Sequence, residues 1–566
     1  MLDDDSDRDM MRRQMRAMLL IGAVLMGWMY FVTPPPGERP VQEELIPSEN
    51  ADSPSSGSER QRDSTSVAAN PDAPVQWPNL PAIPEIEYPA DDEVVIEDDA
   101  LQLVFTRIGG RLKQASVKLG DNETFEMIPD AGDGLDTDTV YPFGLRFWHS
   151  DIRDTLDYRR FEVVESNEYS VTFRLTLPEA LEVTKTFELN GKSHVLNVDV
   201  SYRSLEGRSR IMGRDVEPAY ILNWGPGVHA PDSGRLFQPS VLWNLIGESE
   251  PEKQYLNDLP KEGAAAETGR ISDVDWIGHR TKYFLAAFRS GEDGLAVEGW
   301  FSGTEEHVRF GVTVPRFEIE AAGTHFSSFQ VYLGPMHMNE LTKAWSTLPN
   351  AMTFFDYPDF LDWFAKLLLR NLNWWYGFFN NYGVSIILLT LVVRLFMLPL
   401  TLKSMRSMKA MQALQPELAE LKEKYGDSSE DKQAFAQAQM EMFRERGVNP
   451  LGGCLPMLLQ MPIFIALYRM VMNAFEMRGA TFLWIDDLSK PDHLFHLPFL
   501  SGVPFIGQYI EYFNILPILM VVAMMMTMKL NNTSATQNPQ QQMMMRIMPP
   551  FFGVISYPFS AGINLY

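Results

Sequence analysis

The sequence predicts an α+β membrane protein with an N-terminal membrane anchor, a large antiparallel β-sandwich and a bundle of membrane-spanning helices. Three observations predict this class. Apolar and polar side chains alternate through residues 94–350, which is typical of half-buried strands. Apolar runs dominate the last third of the chain and are long enough to enter a bilayer. A further apolar run follows a charged N-terminus.

Charge and reactive residues exclude several functional classes. The formal net charge of −26 argues against a nucleic-acid-binding protein, because such proteins have a basic surface. The single cysteine, Cys454, lies in an apolar run, so we expect neither a disulfide framework nor a cysteine metal site. His493 and His496 lie near aspartates without ligand spacing, which favours a solvated loop. The sequence has no phosphate-binding loop and no nucleophile elbow, and we expect no cofactor, no metal and no catalytic residues.

The N-terminal segments predict an anchor and a tether. Residues 1–16 are charged, and the apolar run at residues 17–33 ends without a small-x-small cleavage site. We therefore expect an uncleaved signal anchor with a cytoplasmic N-terminus. Residues 34–93 are rich in Pro, Ser, Asp and Glu, a composition that predicts a disordered acidic linker.

Residues 94–350 predict one sandwich domain. Val171, Phe173 and Leu175 alternate with polar residues, and similar alternation recurs to about Val314. The clearest helical signal in the domain lies near residues 338–345. No set of residues converges on a catalytic pattern, so an interaction or scaffold role is favoured over a sugar-binding or enzymatic one.

Residues 351–382 predict an amphipathic helix at the membrane interface, because tryptophans and tyrosines accompany Lys366 and Arg370 among leucines. An ordinary helix packed on the sandwich is the alternative. The next run, residues 383–402, can span the ~30 Å hydrocarbon core. Arg394 falls near its middle, on a stripe that also holds Thr390. A charge there is costly, which indicates either a hydrophilic substrate path or an arginine that snorkels or pairs internally.

The remainder predicts a hairpin and further spans. Residues 403–450 are polar and helical, and their eight Lys and Arg residues place this hairpin in the cytoplasm by the positive-inside rule. The segments that follow are a span at 451–475, a periplasmic loop at 476–511, a span at 512–528, a cytoplasmic loop at 529–542, a span at 543–557, and the start of a sixth span at 558–566.

Three stretches together resemble the YidC/Alb3/Oxa family of membrane protein insertases, in its Gram-negative bacterial form. They are NPLGGCLPMLLQMPIFIALYRM at residues 449–470, GVSIILLTLVVR at residues 383–394 and YPFSAGINLY at residues 557–566. Weaker similarities are TKTFELNGK at residues 184–192 and LGP at residues 333–335. The resemblance covers essentially the whole chain.

The resemblance implies a periplasmic β-supersandwich and five core transmembrane helices in the bacterial inner membrane, the last of which is missing after residue 566. It also implies a hydrophilic groove that is open to the cytoplasm and the lipid and closed toward the periplasm. The residues matched to this substrate groove are Arg394, Thr390, Gln460, Met461, Phe464, Tyr468 and Tyr566. The hairpin is where the family recruits substrates.

The residues suit that function. A buried arginine attracts an acidic segment strongly in a low dielectric, and many of the 32 methionines lie in the hairpin and later spans, where flexible side chains accept varied helices. We expect nascent membrane proteins as substrates, the Sec translocon and ribosome as partners beside the lipid bilayer, and no nucleic-acid site beyond ribosome contact. Two alternatives stay open: a secondary transporter of an anionic solute and a membrane-tethered carbohydrate-active protein.

Overall fold

A computed structural model gives the fold of most of the chain beyond the linker. It describes residues 92–119, 123–129, 141–147, 155–177, 181–191, 193–205, 209–213, 217–230, 237–261, 267–292, 297–304, 307–356, 359–425, 429–448, 455–496, 512–531 and 539–566. The predicted N-terminal segment, the anchor and nearly all of the linker lie outside these residues, as does Cys454.

Strands fill the first half of the described chain. In order they are β1 Glu93–Glu97, β2 Leu101–Thr106, β3 Arg111–Lys118, β4 Thr124–Glu126, β5 Gly144–Phe147, β6 Glu162–Ser166, β7 Ser170–Leu177, β8 Leu181–Leu189, β9 Val195–Ser204, β10 Arg210–Met212, β11 Tyr220–Trp224, β12 Ser240–Leu245, β13 Glu252–Tyr255, β14 Glu267–Arg280, β15 Phe284–Ser290, β16 Val297–Gly303, β17 Val308–Val314, β18 Phe317–Ile319 and β19 Thr324–Pro335. Alternation accounts for them, since Val171 and Phe173 on β7 are buried and Thr172 and Arg174 are not. The predicted β-rich domain is confirmed.

Two sheets form the body of this domain. Thirteen strands make one antiparallel sheet, ordered β5-β11-β17-β16-β14-β15-β19-β9-β8-β7-β6, with β12 paired to β14 and β13 to β12. Strands β1 to β4 form a four-stranded sheet, and β10 pairs with β18. Aromatic rings join the two layers, with Phe105 of β2 lying 4.5 Å from Phe187 of β8 between ring centroids. This apolar contact between sheets is the core of the domain.

Helices follow the strands. They are α1 Met338–Ala344, α2 Asp359–Phe379, α3 Tyr382–Ala413, α4 Gln415–Glu423, α5 Ser429–Glu445, α6 Leu455–Asn473, α7 Ile515–Asn531, α8 Pro539–Ser556 and α9 Ala561–Leu565. Short 3-10 turns lie at Leu348–Ala351 and Phe475–Met477. The hairpin contains α4 and α5, and Arg446 donates two hydrogen bonds of 2.9 and 2.8 Å to Glu417 across it.

The helix that carries Arg394 is the one described helix long and apolar enough to cross a membrane. Its candidate span covers Tyr382–Met411, and the most apolar 18 residues within it have a mean hydropathy of 2.3. Shorter apolar stretches lie at Leu458–Asn473, Ile515–Thr527 and Ile547–Ser556. The helix extends past residue 402, because the polar residues that follow are mostly good helix formers.

The segment predicted as a span from residue 512 becomes helical only at Ile515. Tyr512 and Phe513 instead form the short strand β21, which pairs with β20 at Phe495–His496. The buried Asp492 accepts hydrogen bonds from the backbone N–H groups of Ile515 (2.7 Å) and Leu516 (3.2 Å). It satisfies two donors that a helix start leaves unpaired, and so determines where α7 begins.

Helix α2 contacts protein on one face and is exposed and apolar on the other. Ala365, Leu369 and Leu372 are buried, whereas Trp363 and Trp374 are exposed. The geometry of α2 is therefore compatible both with a helix at the membrane interface and with a helix packed on the rest of the protein. Its inner face packs on the protein, and its outer face has the aromatic character of an interfacial helix.

Candidate functional site

Arg394 lies on the exposed side of α3. Leu395 and Phe396 beside it are exposed to 67% and 80%, whereas Val393 and Met397 are buried against the rest of the bundle. Among the described residues, Arg394 has neither a hydrogen-bond acceptor nor a carboxylate partner. The internal ion pair expected of a purely structural arginine is thus not found in the described chain.

The threonines of the polar stripe form hydrogen bonds within their own helix. The Thr390 hydroxyl donates to the carbonyl of Ile386 at 2.7 Å, and that of Thr401 donates to the carbonyl of Met397 at 3.0 Å. Each hydroxyl proton is therefore occupied, although the half-buried oxygen of Thr390 can still accept a hydrogen bond. The stripe offers one strong cation and two weak acceptors.

Two polar side chains from distant parts of the chain are in contact at this site, and Arg394 lies near them. The side-chain amide of Gln460 on α6 donates a hydrogen bond of 3.1 Å to the hydroxyl of Tyr566. The positive charge of Arg394 on α3 acts on the same hydroxyl. Gln460 and Tyr566 are therefore in contact, with Arg394 near enough for its charge to act on Tyr566, and we call these three residues the polar cluster.

Aromatic side chains continue from the polar cluster along α6. Phe464 and Tyr468 follow Gln460 at intervals of four residues, so all three lie on one face of the helix. The rings of Phe464 and Tyr468 lie 6.4 Å apart, and Tyr468 lies 5.3 Å from Phe559. Met461 is exposed, and a position one residue after Gln460 points about 100° away from it on a helix.

The α3–α6 helix pair is closely packed at the end where α3 begins. Gly383 at the start of α3 packs so closely on Phe482 that an added methyl group would overlap its ring. A methyl group on Gly562 would lie 3.0 Å from the side chain of Val471 and 3.1 Å from the carbonyl of Leu488. Glycine at these two positions allows backbone and side chains to approach where a larger residue would separate them.

Backbone hydrogen bonds reinforce this closure. The N–H of Ala561 donates to the carbonyl of Lys490 at 2.7 Å, and that of Gly562 donates to Leu488 at 3.0 Å. The loop after α6 and the start of α9 thus close the end near Gly383, whereas the other end of α3 exposes Leu402 and Met405. The sequence analysis did not identify Phe482, Leu488 or Lys490 as part of this closure. Gly383 and Gly562, which interrupt apolar runs, were the available sign of close packing.

The histidines of the loop before α7 pack against an aromatic ring. His493 and His496 flank Tyr512, with ring centroids 4.2 and 4.9 Å from it. No group of three metal-ligating side chains occurs among the described residues. The expectation of a solvated loop is wrong for Asp492, which is buried because it caps α7.

Two family models match the chain. One, described as the YidC periplasmic domain, matches residues 93–370, and the other, described as a 60Kd inner membrane protein, matches residues 374–566. The two matches meet within helix α2, at residues 370–374.

Curated relatives cover the chain more continuously. The membrane protein insertase YidC of Syntrophobacter fumaroxidans is 31% identical over 70% of this chain and 68% of its own length. The protein of the same name from Syntrophus aciditrophicus is 28% identical over 98% of this chain and 96% of its own length.

A solved structure described as an active YidC insertase with its first transmembrane domain resolved is also similar. It shares 18% identity, covers 84% of this chain and 89% of its own, and has a TM-score of 0.35.

Proposed function

The chain belongs to the YidC family of membrane protein insertases, and on that premise we propose that the polar cluster of Arg394, Gln460 and Tyr566 receives its substrates. The protein inserts proteins into the inner membrane and has a periplasmic domain, and its substrates are nascent membrane proteins. Its relatives are membrane protein insertases by name, so the transporter and carbohydrate alternatives are not favoured. The observation that carries the proposal is the hydrogen bond between Gln460 of α6 and Tyr566, within reach of the positive charge of Arg394 on α3.

The chemistry of the polar cluster suits a short polar segment that must cross lipid. The guanidinium of Arg394 offers five N–H donors and a permanent charge, which suit a carboxylate. Gln460 and Tyr566 add a neutral donor and acceptor. A segment held by these groups leaves water without losing all its hydrogen bonds, which lowers the cost of its passage.

The apolar part of a substrate needs a separate contact surface. In the proposal, Phe464, Tyr468 and Met461 contact the substrate helix along α6, and Thr390 borders the polar cluster. The exposed Leu395 and Phe396 then give a path along α3 from the polar cluster into lipid. Release is driven by hydrophobic partitioning of the substrate, at about 0.8 kcal/mol per buried methylene.

Orientation follows from charge. If the hairpin at residues 403–450 is cytoplasmic, the closed end near Gly383 faces the periplasm and the exposed end of α3 faces the cytoplasm. The groove is then open to the cytoplasm and to lipid. The same rule places the N-terminus before the anchor in the cytoplasm. The Sec translocon and the ribosome are the partners we propose, and co-purification with each tests them.

The test of the polar cluster uses the full-length chain and one substrate in two forms. Arg394→Ala should reduce insertion of a small membrane protein with an acidic translocated tail by about tenfold or more, because a hydrogen-bonded charge pair contributes ~1.5–3 kcal/mol. Arg394→Lys keeps the charge and should retain part of the activity. The same substrate with its tail carboxylates changed to amides is the control, and its insertion should change less. Equal insertion by wild type and Arg394→Ala for the acidic tail would refute the charge attraction.

A further inference from the structure

The segment that follows α6 joins the helices to the β-domain. Phe475 lies between aromatic residues of the β-domain, with ring centroids 6.3 Å from Tyr283 and 5.8 Å from Phe284. Arg478 pairs with Glu123 of the β3–β4 turn at 3.1 Å. We call residues 475–478 the junction segment.

Glu476 within the junction segment is buried and accepts two hydrogen bonds through one oxygen. Its Oε1 accepts from the backbone N–H of Met338 at 3.2 Å and from the side-chain amide of Asn373 at 3.2 Å. Met338 begins α1, directly after the β-domain, and Asn373 lies within α2. One carboxylate oxygen therefore connects the end of α6 to two other elements.

The connection continues to the helix that carries Arg394. The hydroxyl of Tyr382, the first residue of α3, donates to the Oδ1 of Asn373 at 3.3 Å. Its ring stacks on that of Tyr376 with centroids 4.0 Å apart. Glu476 is thus linked through Asn373 to the start of α3, while it sits at the end of α6.

We propose that Glu476 is a positioning residue that sets the spacing of α3 and α6. A carboxylate is costly to bury, so a residue of this type at 3% exposure is retained for its contacts rather than for packing alone. Because it acts at the closed end of both helices, a small shift there changes the separation of Arg394 and Gln460 farther along. The consequence for insertion rests on the proposed polar cluster, whereas the spacing itself does not.

The first measurement is the distance between α3 and α6. Spin labels are placed at the exposed Leu395 and Leu458 of the full chain in lipid, with Cys454→Ser to remove the single cysteine. Glu476→Ala should shift or broaden the distance distribution, because it removes the shared acceptor. Glu476→Gln should leave the distribution unchanged, because its carbonyl oxygen can still accept from Met338 and Asn373.

A matched control separates positioning from general loss of a buried carboxylate. Asp492 has the same 3% exposure and also accepts two hydrogen bonds, but it caps α7. Asp492→Ala should leave the α3–α6 distance unchanged. If Glu476→Ala yields too little folded protein, Asn373→Ala replaces it and should broaden the same distribution.

The second measurement is the insertion rate of the unlabelled variants. Glu476→Ala should slow insertion by on the order of tenfold, and adding Asn373→Ala should slow it no further, because both act through one connection. An unchanged distance in Glu476→Ala, or a change in Glu476→Gln as large as that in Glu476→Ala, overturns the positioning role. A normal insertion rate for Arg394→Ala would instead remove the polar cluster and leave the distance result standing.

Discussion

Lys185 is fully buried on β8, where the other inward-facing positions are apolar. Its ammonium donates to the carbonyls of Gly109 at 2.7 Å and Phe143 at 2.8 Å, and so connects the two sheets. Burial lowers its pKa from 10.5 to about 7, while the charge of Asp157 opposes this shift and that of Arg111 adds to it. Because its pKa differs between the folded and unfolded chain, Lys185 makes the free energy of unfolding depend on pH.

The sign of that dependence follows from proton counting. Between pH ~7 and ~10.5 the unfolded chain keeps the proton on Lys185 while the folded chain has released it, so stability rises with pH across this window. Below about pH 7 both states are protonated, and the dependence vanishes. Lys185→Met should remove this contribution, so the difference in melting temperature between wild type and variant should change between pH 7 and 10. A constant difference across that range would contradict the buried neutral lysine.

Within the polar cluster, the position of Arg394 was predictable from the sequence, whereas the contact between Gln460 and Tyr566 was not. Arg394 is conspicuous because it interrupts an apolar run. The bond between Gln460 and Tyr566 joins residues far apart in sequence, and only the family resemblance pointed to either. Glu476 and Asp492 carried no local signal, because each accepts from backbone groups that become neighbours only after folding.

At the scale of elements, the start of α3 is defined by close packing and a cap. Asn381 accepts from the N–H of Val384 at 3.1 Å and donates to the carbonyl of Thr481 at 3.3 Å. Gly383, two residues on, packs against Phe482 of the same loop. Helix start and loop therefore form one unit, which closes this end of the bundle.

Gly383→Ala should weaken that unit, because the new methyl group overlaps the Phe482 ring and overpacking costs ~1–3 kcal/mol. Gly377→Ala on α2 is the matched control, since nothing lies within 4 Å of a methyl group there and the change favours helix by up to ~1 kcal/mol. Thermal unfolding in detergent should show a lower midpoint for Gly383→Ala and an equal or higher one for Gly377→Ala. Equal midpoints for both variants would contradict the close packing.

Element type was predictable wherever the periodicity was strong. Alternation predicted strands such as β7 and β9, and the apolar run predicted the helix around Arg394. Helix α7 begins three residues after the start of the predicted span, a difference the sequence did not indicate because Tyr512 and Phe513 are as apolar as the helix that follows. Their pairing with Phe495 and His496, and the cap from Asp492, come from a loop that precedes them by about twenty residues.

At the scale of the whole molecule, the β-domain and the helices share one apolar core. Leu285 of β15, Met336 and Leu341 lie in the same cluster as Leu369 of α2 and Leu467 of α6. The residues between the last strand and α2 therefore belong structurally to the helical bundle. We therefore expect the part of the β-domain that insertion does not need to end closer to β19 than to α2.

Two deletions in the full chain test this boundary. Removing residues 93–335 takes away the sheets but keeps α1 and the segment after it, whereas removing residues 93–354 also removes Met338 and Leu348 from the shared core. The shorter deletion should support insertion better than the longer one, measured in cells depleted of the wild-type protein. Equal activity of the two would show that the segment between β19 and α2 is dispensable.

Site-specific photo-crosslinking to a nascent membrane protein tests whether substrates contact the face of α6 that carries Gln460 and Phe464. A photoreactive residue at Gln460 or Phe464 should crosslink to the substrate, whereas one at Phe326 on β19 or at Trp363 on the outer face of α2, both exposed, should not. We expect crosslinks only at the α6 positions. Substrate crosslinks at Phe326 or Trp363 but not at Gln460 and Phe464 would contradict it.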